Sequence, residues 1–189
     1  VDFPWMMPLG ELLKGSVPVT FVSHESQHLK WKRQAAVDGK RTSEAMAAAF
    51  KHYEHHFARA FNAVYSITTN EIEYWQQAVT DDRVFYSPLG IDTGTFKNCN
   101  RAGVFTKMVF ISNGNHSPNL DAIEWFIASV LPVLDNEVPP LTITGYHPKD
   151  FIERCHAKAG DRVEFVGFVD SLPATLENAI SIVPMRIGS

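Results

Sequence analysis

Two cysteines, Cys99 and Cys155, are all the thiol chemistry this 189-residue chain contains, and they form no Cys-x-x-Cys pair. So small a number excludes a disulfide framework and is most simply read as a reducing, cytoplasmic setting. No apolar run reaches the roughly 18 residues of a membrane span, and no signal-peptide pattern opens the chain. There is no basic excess either: Lys and Arg number 17 against 21 Asp and Glu, for a net charge of -4. A surface that tracks phosphates usually needs such an excess, so nucleic acid is not the expected partner, although Lys30, Lys32 and Arg33 form a local basic patch. No G-x-G-x-x-G fingerprint is present. The chain lacks an initiator Met and stops just after the strand-like Ile180-Ser181-Ile182-Val183, which predicts truncation at both ends.

What is present is ample apolar content, 45% of residues, arranged in alternation. Residues 1–16 read as a short amphipathic helix with Met6, Met7, Leu9, Leu12 and Leu13 on its apolar side. Val17 to Val22 follows as a strand, then a polar stretch from His24 to Arg41, and then a long helix from about Ser43 to Asn62. Its apolar positions are Ala45, Ala49, Phe50, Tyr53, Phe57 and Phe61, with Ser43 as candidate cap. Val64 to Ile67 is a strand, Asn70 to Val79 a helix and Arg83 to Tyr86 a strand. Pro88-Leu89-Gly90 and the residues through Gly103 interrupt the pattern, as a linker would. Strands at Lys107–Ser112, Leu141–Thr144, Val163–Val166 and Ile180–Val183 then alternate with helices at Asn119–Leu131, Pro148–Ala157 and Leu172–Asn178. Trp125, Phe126 and Leu131 are candidate core.

This order predicts an α/β chain of two partial Rossmann-like domains, residues 1–87 and 104–189, joined by a linker at 88–103. Each would have a parallel sheet covered on both faces. Open parallel sheets bind ligands at the carboxyl ends of their strands. That rule directs attention to His24 and Glu25, to Asn113 and Gly114, to Gly145, to Phe168 and Val169, and to Arg186. Backbone amides around Gly114 are candidates to meet a diphosphate, and the Arg186 guanidinium suits phosphate.

Several segments carry a resemblance. Pro88-Leu89-Gly90-Ile91-Asp92-Thr93 with Phe96 is similar to the interdomain signature of the family 4 (group 1) glycosyltransferases of GT-B architecture. Val109-Phe110-Ile111 with Pro118-Asn119-Leu120-Asp121-Ala122, Leu141 to Gly145, Val163 to Asp170 and Val183 to Gly188 resemble successive pieces of their donor domain. Pro18 to His24 resembles the strand that ends in their active-site histidine. The resemblance implies a nucleotide-diphosphate-sugar donor held by the second domain and a glycan or lipid-linked acceptor held by the first. It also implies transfer in the cleft with retention of configuration, and no metal or cofactor. His24 would be catalytic and Glu25 would lie toward the acceptor. Asn113, Gly114, Gly145, Phe168, Val169 and Arg186 would serve the donor. Asn113 and Asn119 stand where many members have an arginine and a lysine. The segment by itself is expected to be inactive or nearly so. Lys32 and Arg33 leave an approach to an anionic acceptor or to the inner face of a membrane open.

Two other readings compete. His24-Glu25-Ser26-Gln27-His28 satisfies H-E-x-x-H, the zinc-metallopeptidase pattern, which on a helix would bind zinc, with Glu25 as general base and a carboxylate such as Glu44 as third ligand. The strand running straight into His24 argues against it. A non-catalytic nucleotide-binding module is the other. His52 and His56, four apart on a helix, are a candidate metal pair or a solvated face.

Overall fold

The computed structural model describes residues 1–96, 105–135 and 137–188. The chain divides into two compact units, one built mainly on Val1–Gly90 and the other on Ile91–Arg186. Residues 97–103 of the expected linker, Cys99 among them, lie outside the described residues.

In the first unit, β1 (Thr20–Ser23), β2 (Ala63–Ser66) and β3 (Val84–Tyr86) form a parallel sheet in the order β1-β2-β3. The crossover from β1 to β2 is a pair of helices, α2 (Gln27–Asp38) and α3 (Arg41–Ala58), which follow α1 (Pro8–Leu13). Helix α2 occupies the stretch read as polar chain. Ser26 caps it, accepting from the Leu29 amide at 3.2 Å, and Gly39 ends it with φ 63°. Only glycine enters that left-handed region at little cost. A turn of 3-10 helix and α4 (Ile72–Gln76) lead from β2 to β3.

The unit's core gathers Met7, Phe21, Phe61, Val64 and Trp75, with Phe21 5.5 Å from both the Phe61 and Trp75 rings. Two expected faces differ from those observed. In α1 the buried residue is Gly10, with Met7 buried just ahead of the helix, because the helix backbone lies on Phe61, while Leu9, Leu12 and Leu13 are exposed. In α3 the buried stripe is Ser43, Ala47, Glu54 and Ala58, while Ala45 and Ala49 face solvent. Ser43 lies inside the first turn of that helix, and its hydroxyl donates to Asp38 rather than capping the end.

In the second unit, β4 (Lys107–Ile111), β5 (Leu141–Thr144), β6 (Val163–Gly167) and β7 (Ala179–Ser181) form a parallel sheet in the order β6-β5-β4-β7. Helices α5 (Ser117–Trp125) and α6 (Lys149–Ala159) pack on the face carrying Met108, Phe110, Leu141, Ile143 and Val163. Helix α5 widens into a π-turn over Phe126–Val130 that buries Phe126 and Ile127, whereas Trp125 is only half-buried. The opposite face is not fully covered, contrary to expectation. Glu164, Val166 and Ser181 are exposed there, beside the four-residue α7 (Leu172–Thr175). Cys155 sits in the core, and burial pushes its thiol up to about 11. Among the described residues no helix is long and apolar enough to cross a membrane.

Candidate functional site

The second unit carries a cavity of about 550 Å³ at the carboxyl ends of β4, β5 and β6. Gly145, Phe168 and Val169 line it together with Ser112, Asp170 and Ser171. The backbone explains why these loops converge. The pairing register of β5 and β6 slips by one residue, from Ile143–Phe165 to Thr144–Gly167. The Gly145 amide then donates to the Gly167 carbonyl at 2.6 Å. Both glycines have positive φ, 86° and 71°. The chain after β6 is thereby turned beside the end of β5, and Phe168 is left 87% exposed at the cavity. So exposed a ring is not core packing, and it offers a flat apolar face to a ligand.

Thr95 and Phe96 also line the cavity, carried there by a turn on Asp92. The Asp92 carboxylate accepts from the Gly94 amide at 2.8 Å and the Thr95 hydroxyl at 2.6 Å. These bonds to the charged form hold the Asp92 carboxyl below the usual range.

His147, which the sequence did not single out, fastens two of these loops together. It is buried, with Nδ1 3.1 Å from the Gly145 carbonyl and Nε2 3.1 Å from the Ser112 hydroxyl. A carbonyl only accepts, so Nδ1 carries the proton and Nε2 accepts from Ser112. The ring also packs against Phe165 at 5.2 Å. Burial lowers its pKa from 6.5, with the Gly145 bond acting in the opposite direction. A depressed folded-state value means the group favours the folded state above the unfolded pKa. That contribution is lost as pH falls through the folded value. The second unit should therefore weaken as pH falls below 6.5. Imidazole titration by NMR alongside thermal melts checks this, and a His147 that titrates at or above the free value would refute it.

The other residues expected to serve the donor are placed differently. Asn113 adjoins Gly145, but the turn it opens satisfies itself. Its side chain accepts from the Asn115 amide, its carbonyl from the His116 amide, and the Gly114 amide donates to Tyr146 at 2.7 Å. Those amides are therefore engaged, and the expected amide cradle for a diphosphate is not free at this turn. Gly114 matters for another reason: a Cβ there would stand 2.8 Å from the Tyr146 carbonyl oxygen. Arg186 is also occupied. Its Nε donates to Asp121 at 3.0 Å, a second nitrogen bonds the other carboxylate oxygen, and the guanidinium lies over Trp125 at 5.7 Å.

In the first unit, His24 and Glu25 stand in the turn between β1 and α2. His24 is exposed, its ring stacked on Phe3 at 5.8 Å. Glu25 pairs with Lys30 at 2.9 Å. Lys30, Lys32 and Arg33 are on α2 rather than in a loop. Because α2 begins at Gln27, His24 and His28 do not share a helix face, and the H-E-x-x-H reading loses its geometry. His28 instead directs Nδ1 to the Ala47 carbonyl at 2.8 Å and stacks on Tyr74. Glu44 lies exposed on α3. Among the described residues no group of three or more His, Cys, Asp and Glu side chains is placed to hold a metal. The His52 and His56 rings lie 6.4 Å apart on an open face with Lys51 and Arg59.

The chain is thus two α/β units, each with a parallel sheet, and solved structures of GT-B fold share this architecture. TarM matches 94% of this chain over 34% of its own length, at 18% identity and a TM-score of 0.64. A variant of S. aureus TarM, solved with fondaparinux, alpha-GlcNAc-glycerol and UDP, gives 93%, 34%, 17% and 0.64. HepE of Anabaena, solved with UDP-glucose, matches 92% of the chain over 49% of its length, at 15% identity and 0.57. The chain thus spans a third to a half of the length of these proteins. No protein-family model and no curated protein matches the sequence.

Proposed function

We propose that this chain is part of a glycosyltransferase that uses a nucleotide-diphosphate sugar. The second unit would hold the donor, and the first would supply His24 to the reaction. The observation that carries the reading is the cavity of about 550 Å³ at the strand ends of the second unit, in a fold shared with proteins solved with UDP or UDP-glucose. The exposed Phe168 ring stacks on the base, and the backbone around Gly145 and Val169 closes over the nucleotide. The reaction breaks the bond between the anomeric carbon and the diphosphate. Negative charge gathers on the leaving phosphate while the sugar becomes electron-poor, so fixed hydrogen-bond donors near that bond supply most of the rate. His24 is the donor assigned to the transferring sugar, with Glu25 toward the acceptor.

Membership of family 4 (group 1), retention of configuration, independence from metal, and a glycan or lipid-linked acceptor at the inner face of a membrane belong to the same proposal. They rest on the sequence resemblance. The donor is a substrate, and no cofactor is invoked.

Calorimetric titration with UDP tests the reading. Saturable binding is expected, weakened about tenfold in Phe168→Ala, since base stacking is worth about 1–3 kcal/mol. No heat with UDP or any other nucleoside diphosphate would sink the donor site. Binding by a full-length protein that never turns over a donor would favour a non-catalytic module.

A further inference from the structure

The turn that carries His24 rests on two buried acids that the sequence did not mark. Glu54, toward the end of α3, and Glu71, just before α4, are both fully buried. Among the described residues neither takes part in an ion pair. Five of their seven bonds come from one short piece of chain, Ser23 to His28. Glu71 accepts from the Ser23 hydroxyl at 2.8 Å, the Ser26 amide at 2.8 Å and the Trp75 indole at 3.3 Å. Glu54 accepts from the Ser26 hydroxyl at 3.0 Å, the Gln27 amide at 2.7 Å, the His28 amide at 3.3 Å and the Tyr74 hydroxyl at 2.6 Å.

Ser26 joins the two sets, its amide on one acid and its hydroxyl on the other. The amides at the start of α2 that no carbonyl of the helix receives thus end on Glu54, the favourable location for a negative group. Burial nevertheless raises the Glu54 pKa, against the lowering by its donors. A carboxylate without a counter-ion is an expensive way to fill a core, and an apolar residue of similar size is often as stable or more so. What the acids provide and an apolar side chain would not is a fixed path for the backbone on both sides of His24 and Glu25.

We propose that Glu54 and Glu71 are positioning residues for His24, holding the turn between β1 and α2 in the one conformation that presents its imidazole to the substrate. The assignment rests on the transferase reading of His24.

The test uses the full-length protein carrying Glu54→Gln or Glu71→Gln, with UDP-glucose and UDP-N-acetylglucosamine as donor probes and UDP release as readout. A glutamine turns an amide toward hydrogen-bond donors that now meet an acceptor. Well below each variant's melting temperature, kcat should fall about 10- to 100-fold, with donor KM changing less than about threefold. Amide exchange should quicken across Ser23–Leu29 and stay as in the wild type in β2 and α4. A folded variant with wild-type kcat, or with unchanged exchange in the turn, overturns the assignment. If Glu71→Gln does not fold, Ser23→Ala removes one bond to the same acid from the loop side, with about a three- to tenfold loss expected. Wild-type protein that turns over no donor overturns the transferase reading and this assignment together. Active wild type beside unimpaired variants overturns the assignment alone.

Discussion

Gly145→Ala should be among the most damaging single substitutions in the second unit, lowering its melting temperature by roughly 15 °C or more and abolishing UDP binding. Two effects add. The residue has φ 86°, where an L side chain is strained, and its Cβ would stand 1.9 Å from the Ser112 carbonyl oxygen. No rotamer relieves an overlap between a Cβ and backbone, so β4 and β5 must part at the ends that frame the cavity. A cost of about 3–5 kcal/mol follows, at the high end for a point change. Gly39→Ala separates the two causes. Its φ is 63°, but nothing lies within 4 Å of the new Cβ, so only the backbone strain of about 1–2 kcal/mol applies. Thermal melts of both variants decide the matter. Equal losses at the two positions would show that the close approach of Gly145 to Ser112 contributes nothing.

His24→Ala should cut sugar transfer about 100- to 1000-fold, the usual effect of losing one positioned donor at a developing charge. Its melting temperature should stay near that of the wild type, because an exposed side chain contributes within about 0.5 kcal/mol. The contrast is the informative part. A histidine that merely finished the turn would move stability and leave kcat alone. Transfer at the wild-type rate in the folded full-length variant would remove His24 from the reaction.

The strands were legible because their evidence is local. Val64-Tyr65-Ser66, Met108 to Ile111 and Leu141 to Thr144 are β-branched or apolar runs bounded by turn residues, and each forms a strand. Gly145 was legible for the same reason, as a glycine directly after such a run. Helix α2 was missed because it buries no side chain fully and so writes no apolar period. Its signals were the ends, Ser26 ahead and Gly39 behind. In α3 the period was read from apolar residues, but the buried stripe runs through Ser43 and Glu54, and Glu54 takes its partners from distant segments. His147 was illegible on the same grounds. Nothing near it in sequence says that Ser112, 35 residues earlier, will receive its ring. Asn113, Gly114 and Arg186 illustrate the converse. Their residue types suit phosphate, yet the fold supplies Tyr146 and Asp121 as partners within the protein.

Helix α2 is joined to the first unit at its start by polar bonds to Glu54 and Glu71, without one fully buried side chain of its own. Releasing it uncovers only partly buried apolar side chains, Leu29 and Trp31 among them, so the heat-capacity change of that release is smaller than that of opening the core. Its free energy is correspondingly flatter with temperature and shallower in urea than that of the Phe21–Phe61–Trp75 core. The turn beside His24 therefore keeps its anchorage in the cold, where apolar cohesion fades.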